Sequence, residues 1–317
     1  MSGSGHHHGH AHGSERAQLT SRAAMASVAV ALLLVVLKGY AAWATGSVAM
    51  LGSLADTGLD LIASLVTLAG VRIAALPADS DHRFGHGKAE ALVALFQIVL
   101  ITVSAGWIAY RSGQRLINGA ETGAADLGIA VSLVALVATL MLIMYQRHVV
   151  TRTGSVAIAT DRVHYQSDLL LNGSVIAALV LDQYAGLVGA DAVFGLLIAG
   201  WLLVGAWRSS SRAVDQLMDR EWPEEQRAAF LAAAADYPEL AGLHDLRTRT
   251  SGSNHFVQFH VWVPGEWTVR DAHDRLDLVE EALQARFPGT EILIHLDPHG
   301  HTDRETMLPS SLTEKAV

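Results

Sequence analysis

Cysteine is absent from the 317-residue chain. Disulfides and thiolate metal sites are therefore excluded, and any bound metal must be held by His, Asp or Glu. Charge is scarce too. Asp, Glu, Lys and Arg make up 17% of the residues, against about 25% in soluble domains. The formal net charge is −9 and no basic stripe appears, so no nucleic-acid partner is expected. No signal-peptide pattern precedes the first apolar run. No His-Glu-xx-His motif is present.

What the chain does have is apolar length. Hydrophobic residues reach 51% and the mean hydropathy is +0.30. A spanning helix needs about 20 mainly apolar residues. Six runs meet that need: 22–45, 48–76, 89–116, 125–147, 156–182 and 187–208. Trp43, Trp107, Trp201 and Trp207 lie toward span ends, as interfacial anchors do. Lys38 interrupts the first span and is read as an amine snorkelling to the interface. Arg16, Arg22, Arg83, Lys88, Arg147, Arg152, Arg208 and Arg212 flank the spans on one side. Arg111 and Arg115 stand on the other, where 182–191 has no Lys or Arg. This bias predicts a multi-pass membrane protein with both termini in the cytoplasm.

Charges and prolines return after about Ser209. The tail reads as a compact α/β unit. Pro223–Ala235 is Ala- and Glu-rich and predicts a helix. Leu243–Thr250 and His255–Val263 predict strands around a Ser-Gly-Ser-Asn turn. Thr268–Phe287 has helical periodicity, and Glu291–Leu296 predicts a third strand. The order gives a small open sheet with helices on one face. Four segments follow: a His-rich disordered start at 1–21, a six-helix membrane domain at 22–212, a tail domain at 213–298 and a disordered end at 299–317. The His6–His12 tract reads equally as a tag remnant or as a native metal-capturing segment.

Two pairs stand out inside the spans. Asp56 and Asp60 are i,i+4 in the second, and His164 and Asp168 are i,i+4 in the fifth. Each pair therefore shares one helix face. A charge at the bilayer centre costs at least about 2.5–3.5 kcal/mol. A lone carboxylate there can cap a helix or make one packing hydrogen bond. Two facing pairs ask for more, and a bound dication neutralises the carboxylates and fills their lone pairs. One imidazole and three carboxylates suit tetrahedral zinc. Manganese and ferrous iron accept similar donors but favour more ligands. Metal ligation requires deprotonated donors, so binding releases protons. His164, which titrates near neutrality when unperturbed, is the candidate proton carrier.

Two further His/Asp groups lie outside the spans. Asp79, His82 and His86 fall in the loop after the second span. His244, His260, His273, His295 and Asp297 fall on predicted strand ends and on the helix beside them, and Asp297 can bridge two ions.

The chain resembles the cation diffusion facilitator family, nearest to its bacterial zinc and ferrous-iron efflux branch. The resemblance runs from about Arg22 to Asp297. It rests on Gly46-Ser47-Val48, Asp56-xxx-Asp60, Pro77-Ala78-Asp79, Phe84-Gly85-His86-Gly87-Lys88-Ala89-Glu90, His164-Tyr165-Gln166-Ser167-Asp168 and His244-Asp245-Leu246-Arg247-Thr248-Arg249. It implies six transmembrane helices, a ferredoxin-like cytoplasmic domain and a homodimeric metal/proton antiporter. Zinc would be both cargo and structural ion, with cadmium, ferrous iron or manganese as other cargoes. Asp56, Asp60, His164 and Asp168 would form the transport site, and Asp79, His82 and His86 a loop site. His244, His260, His273, His295 and Asp297 would form a binuclear cytoplasmic site that holds the dimer. Lys88 would pair with Asp219 to fasten the two domains. Leu296 departs from the polar residue that close relatives can carry between the tail ligands.

Two other functions fit parts of the pattern. An intramembrane metallohydrolase would bury His and Asp as well, but it needs an open coordination position and a substrate cleft. A membrane metal sensor could use the tail ligands, but no output module follows them.

Overall fold

The computed structural model describes residues 7–45, 48–118, 126–185, 190–252 and 254–299. Gly46, Ser47 and residues 300–317 lie outside them. Six long helices come first: α1 His7–Thr45, α2 Val48–Ala74, α3 Ala89–Asn118, α4 Asp126–Thr153, α5 Val156–Ala185 and α6 Ala190–Leu217. Five of these are long and apolar enough to cross a membrane by length and composition. The sixth, α5, carries Asp161, Arg162, His164 and Asp168, and those residues lower its hydropathy. One expectation changes. Of the start expected to be disordered at 1–21, the described part is helical, since α1 begins at His7. Ala11, Glu15, Arg16, Ala17, Gln18 and Leu19 are good helix formers, so the span extends backward without a break.

The chain divides into a helical unit, 17–214, and a second unit containing residues from 215 onward together with the start of α1. In the helical unit α2 packs against α3 and α5, and α4 packs against α5. Small side chains permit the approach, as in membrane bundles generally. Ala23 and Ala24 of α1, Val71 of α2, Val149 of α4 and Ala157 and Ile158 of α5 form one buried cluster. A β-carbon on Gly70 would overlap Val93, which shows how closely α2 meets α3. Large apolar side chains face outward, among them Leu33, Val103 and Leu197. Such a surface suits hydrocarbon rather than water.

The tail unit contains α7 Glu224–Ala234, a short 3-10 turn Pro238–Leu240, β1 His244–Ser251, β2 Asn254–Val263, α8 Val269–Arg286 and β3 Thr290–Pro298. β1 is antiparallel and β3 parallel to the central β2. The parallel pair requires a crossover, and α8 supplies it. Alternation along β2 sends Val257, Phe259, Val261 and Val263 into one core with Phe230 of α7 and Leu276, Val279 and Leu283 of α8. Both helices thus cover one face of the sheet, and residues 258, 260 and 262 point to the other. Thr268 caps α8: its side chain accepts from the Asp271 backbone, and the Asp271 carboxylate accepts from the Thr268 backbone. A hydrogen bond donated by the Thr268 hydroxyl, followed by the one from its backbone N–H, holds the Asp271 carboxyl below the usual carboxylate range.

Candidate metal centres

The intramembrane pairs are positioned by the crossing of α2 and α5. His164 Nε2 lies 3.0 Å from Asp60 Oδ1. Ligand atoms of Asp60, His164 and Asp168 all fall within 4.8 Å of one another. Asp56 stands outside that group and is exposed. Its place explains this, because i,i+4 spacing sets it about 6 Å farther along the α2 axis. Three of the four predicted residues are brought together, and Asp56 flanks them. Tyr165 is held beside this set: Ser64 Oγ lies 2.8 Å from its hydroxyl, which donates to the Ser27 carbonyl at 3.2 Å.

Two features escaped the sequence reading. First, Lys38 does not snorkel. Its Nζ donates to Thr57 Oγ1 at 2.7 Å, inside the turn of α2 that carries Asp56 and Asp60. Second, a further polar set lies buried in the bundle. Asp161 is fully buried. Its Oδ2 accepts from Ser27 Oγ and Gln146 Nε2, each at 2.7 Å, and its Oδ1 accepts from Gln97 Nε2 at 2.9 Å. Gln97 Nε2 also donates to Thr67 Oγ1 at 2.6 Å. One carboxylate therefore joins α1 through α5. The signal was available: an aspartate three residues before His164, and single glutamines inside otherwise apolar spans.

The loop between α2 and α3 folds around Asp79. Its Oδ1 accepts backbone N–H groups from Asp81 at 2.9 Å and His82 at 2.6 Å. The bond from the His82 backbone draws the Asp79 carboxyl below its ordinary range. His82 Nδ1 lies 3.2 Å from Oδ1 and His86 Nε2 3.3 Å from Oδ2. His86 Nδ1 donates to the Pro77 carbonyl at 3.2 Å, which turns Nε2 toward the carboxylate. Gly85 closes the loop at φ 78°, a conformation glycine adopts without a steric penalty.

In the tail, strand register builds the site. His244 pairs with His260 across β1 and β2, and His260 with His295 across β2 and β3. Three histidines therefore form one row on the open face of the sheet. Asp297 lies two residues on, on the same face. Its Oδ2 is 2.8 Å from His260 Nδ1 and 3.3 Å from His244 Nε2, while Oδ1 is 3.6 Å from His295 Nε2. The two oxygens thus face different histidines. Burial alone would push the Asp297 carboxyl up. The hydrogen bond from His260 and the neighbouring imidazoles outweigh it and hold the group low. His273 is not brought in. It sits on the exposed side of α8, because Ala272, Leu276 and Val279 take the face toward the sheet. Asp245 was missed: it is buried at φ 49°, its Oδ2 3.8 Å from His260 Nε2 and 2.7 Å from Arg247. Asp219 lies 3.6 Å from Arg249 within the tail unit.

Residues 24–218 match the cation efflux transmembrane domain, and residues 222–299 match the cation efflux protein cytoplasmic domain. The chain is 44% identical to the cation-efflux pump FieF of Cronobacter sakazakii over 281 residues, 89% of this chain and 93% of that protein. It is 44% identical to the FieF of Pectobacterium carotovorum, covering 89% and 94% of the two chains. It is 43% identical to that of Escherichia fergusonii, covering 91% and 96%. With both domains matched in order and the helical bundle and three-stranded tail in place, the chain belongs to the cation-efflux, or cation diffusion facilitator, family.

Proposed function

We propose that this protein exports a divalent transition metal from the cytoplasm in exchange for protons. Zinc is the first choice, and cadmium, ferrous iron and manganese are within reach of the same donors. The observation that carries this reading is the approach of His164 Nε2 to Asp60 Oδ1 at 3.0 Å, with Asp168 in the same group, between two helices of a membrane bundle. A proton shared along that contact occupies the lone pairs that a metal would need. Binding one therefore expels the other. Alternate opening of such a site to the two membrane faces is antiport. Asp60, His164 and Asp168 hold the ion, and Asp56 joins from one turn away.

The group of exposed Asp79 and His82 with half-buried His86 is a second binding site near the membrane surface. His244, His260, His295 and Asp297 would hold a structural zinc in the tail, where the Asp297 oxygens face different histidines. This structural metal would support a homodimer in the bacterial cytoplasmic membrane, with both termini cytoplasmic. Lys88 and Asp219 would fasten the two units together.

Zinc flux in proteoliposomes under an imposed pH gradient tests the central claim. Zinc uptake should follow an opposed proton gradient and fall to background in Asp60→Ala. Flux that ignores the gradient would refute antiport, and full flux through Asp60→Ala would refute the site.

A further inference from the structure

The proposed transport site carries more negative charge than its cargo neutralises. Asp56, Asp60 and Asp168 bring three carboxylates, and a divalent metal brings two positive charges. Lys38 reaches into this region from α1. It lies within a span of mean hydropathy 2.0. Its ammonium donates to Thr57 Oγ1 at 2.7 Å. Thr57 is 1% exposed and in turn donates to the Ser53 carbonyl at 3.0 Å. Thr57 lies one residue after Asp56 and three before Asp60, and i,i+3 positions are neighbours on a helix. The ammonium is thus anchored on the flank of the carboxylate face, away from the interface that a snorkelling lysine would seek.

Resting on the transport reading above, we infer that Lys38 is a tethered counter-cation of the transport site. Three carboxylates, one dication and one ammonium sum to zero, so the loaded site crosses the low-dielectric bundle without net charge. The same ammonium repels the dication. It therefore weakens metal binding and assists release, and it continues to neutralise one carboxylate after the metal leaves. The role is electrostatic. The hydrogen bond to Thr57 positions the charge and is not itself the source of the effect.

The absence of cysteine makes Lys38→Cys the only thiol in the chain. Because a thiolate can itself ligate zinc, Lys38→Met, which loses the charge and adds no thiolate, is titrated beside it and must tighten zinc binding as well. Zinc binding to the full-length protein in nanodiscs is titrated at neutral pH, and the Asp60→Ala titration is subtracted to isolate this site. Lys38→Cys should bind zinc at least about tenfold more tightly, since losing a neighbouring positive charge relieves repulsion of the dication where the effective dielectric is low. Its zinc flux should be slower. Aminoethyl methanethiosulfonate restores an ammonium at position 38 and should return both values to within about twofold of the parent. Methyl methanethiosulfonate, which adds no charge, should not. Thr57→Val keeps the charge and loses the bond, so its affinity should move less than that of Lys38→Cys. Unchanged or weaker zinc binding in Lys38→Cys overturns the inference, as does equal rescue by both reagents. If the parent protein moves no zinc, the transport reading fails instead. A parent that transports beside an indifferent Lys38→Cys sinks the counter-cation alone.

Discussion

Burial decides what a single histidine does in this molecule. His255 lies in the tail unit with Trp222 edge-on at 5.5 Å and Thr250 Oγ1 at 3.2 Å from its Nδ1. Burial, reinforced by the Arg16 charge, pushes its imidazole down to about 4. An unfolded chain would protonate it near 6.5. The folded state therefore binds fewer protons between those values, and stability falls as pH drops from about 6.5 to about 4. Hydrogen exchange of β2 amides at pH 7 and pH 5 reads this directly. Protection should decline at pH 5 in the parent, and the decline should shrink in His255→Gln. The histidines of the open sheet face each meet a carboxylate instead. Residue type in the sequence marked all of them alike, and only burial and partners separate the structural histidine from the ligand candidates.

At the scale of elements, α5 has the most to reconcile. It carries His164 and Asp168 of the proposed metal site and, one turn earlier, Asp161 of the buried hydrogen-bond set. Removing the Asp161 carboxylate takes from Ser27, Gln97 and Gln146 their shared charged acceptor and leaves them only the Ala23 carbonyl, Thr67 Oγ1 and Ser27 Oγ. Each hydrogen bond to a charged group contributes about 1.5–3 kcal/mol. Asp161→Ala should therefore lower the detergent melting temperature of the helical unit by many degrees. Ser27→Ala, which removes one donor and leaves two, should lower it far less. Equal melting of the parent and Asp161→Ala would show that the knot is not what ties α1 to α5. The spans themselves were legible because lipid demands apolar length, and the tail elements because strand and helix periods differ. The row of histidines was not legible as a row. It depends on β2 pairing with β3 in one register, His260 opposite His295, and nothing local states that register. The inward turn of Lys38 was hidden for a related reason, since its partner Thr57 belongs to another helix. The i,i+4 pairs were visible because their geometry is internal to one helix. The exclusion of Asp56 depends on where α5 crosses.

For the whole molecule, metal has two separate consequences because the chain has two units. In the helical unit a tightly held ion would defeat transport, so the site must release what it binds. In the tail unit release serves nothing, and a ligand that binds only the folded state adds stability by mass action, about 2.7 kcal/mol at a hundred times its dissociation constant. The tail site is suited to that role. Its ligands come from all three strands, so an ion bound there crosslinks the sheet. Asp297 is already 4% exposed with its oxygens turned toward different histidines, so little has to be ordered on binding. Zinc should therefore slow hydrogen exchange in β1, β2 and β3 of the full-length protein, and a chelator should reverse it. His260→Ala removes the imidazole at the centre of the row and should abolish this protection while leaving zinc flux through Asp60 and His164 measurable. Loss of flux together with loss of protection would mean instead that the tail metal is needed for the transport cycle itself. Protection that survives His260→Ala would place the stabilising ion elsewhere.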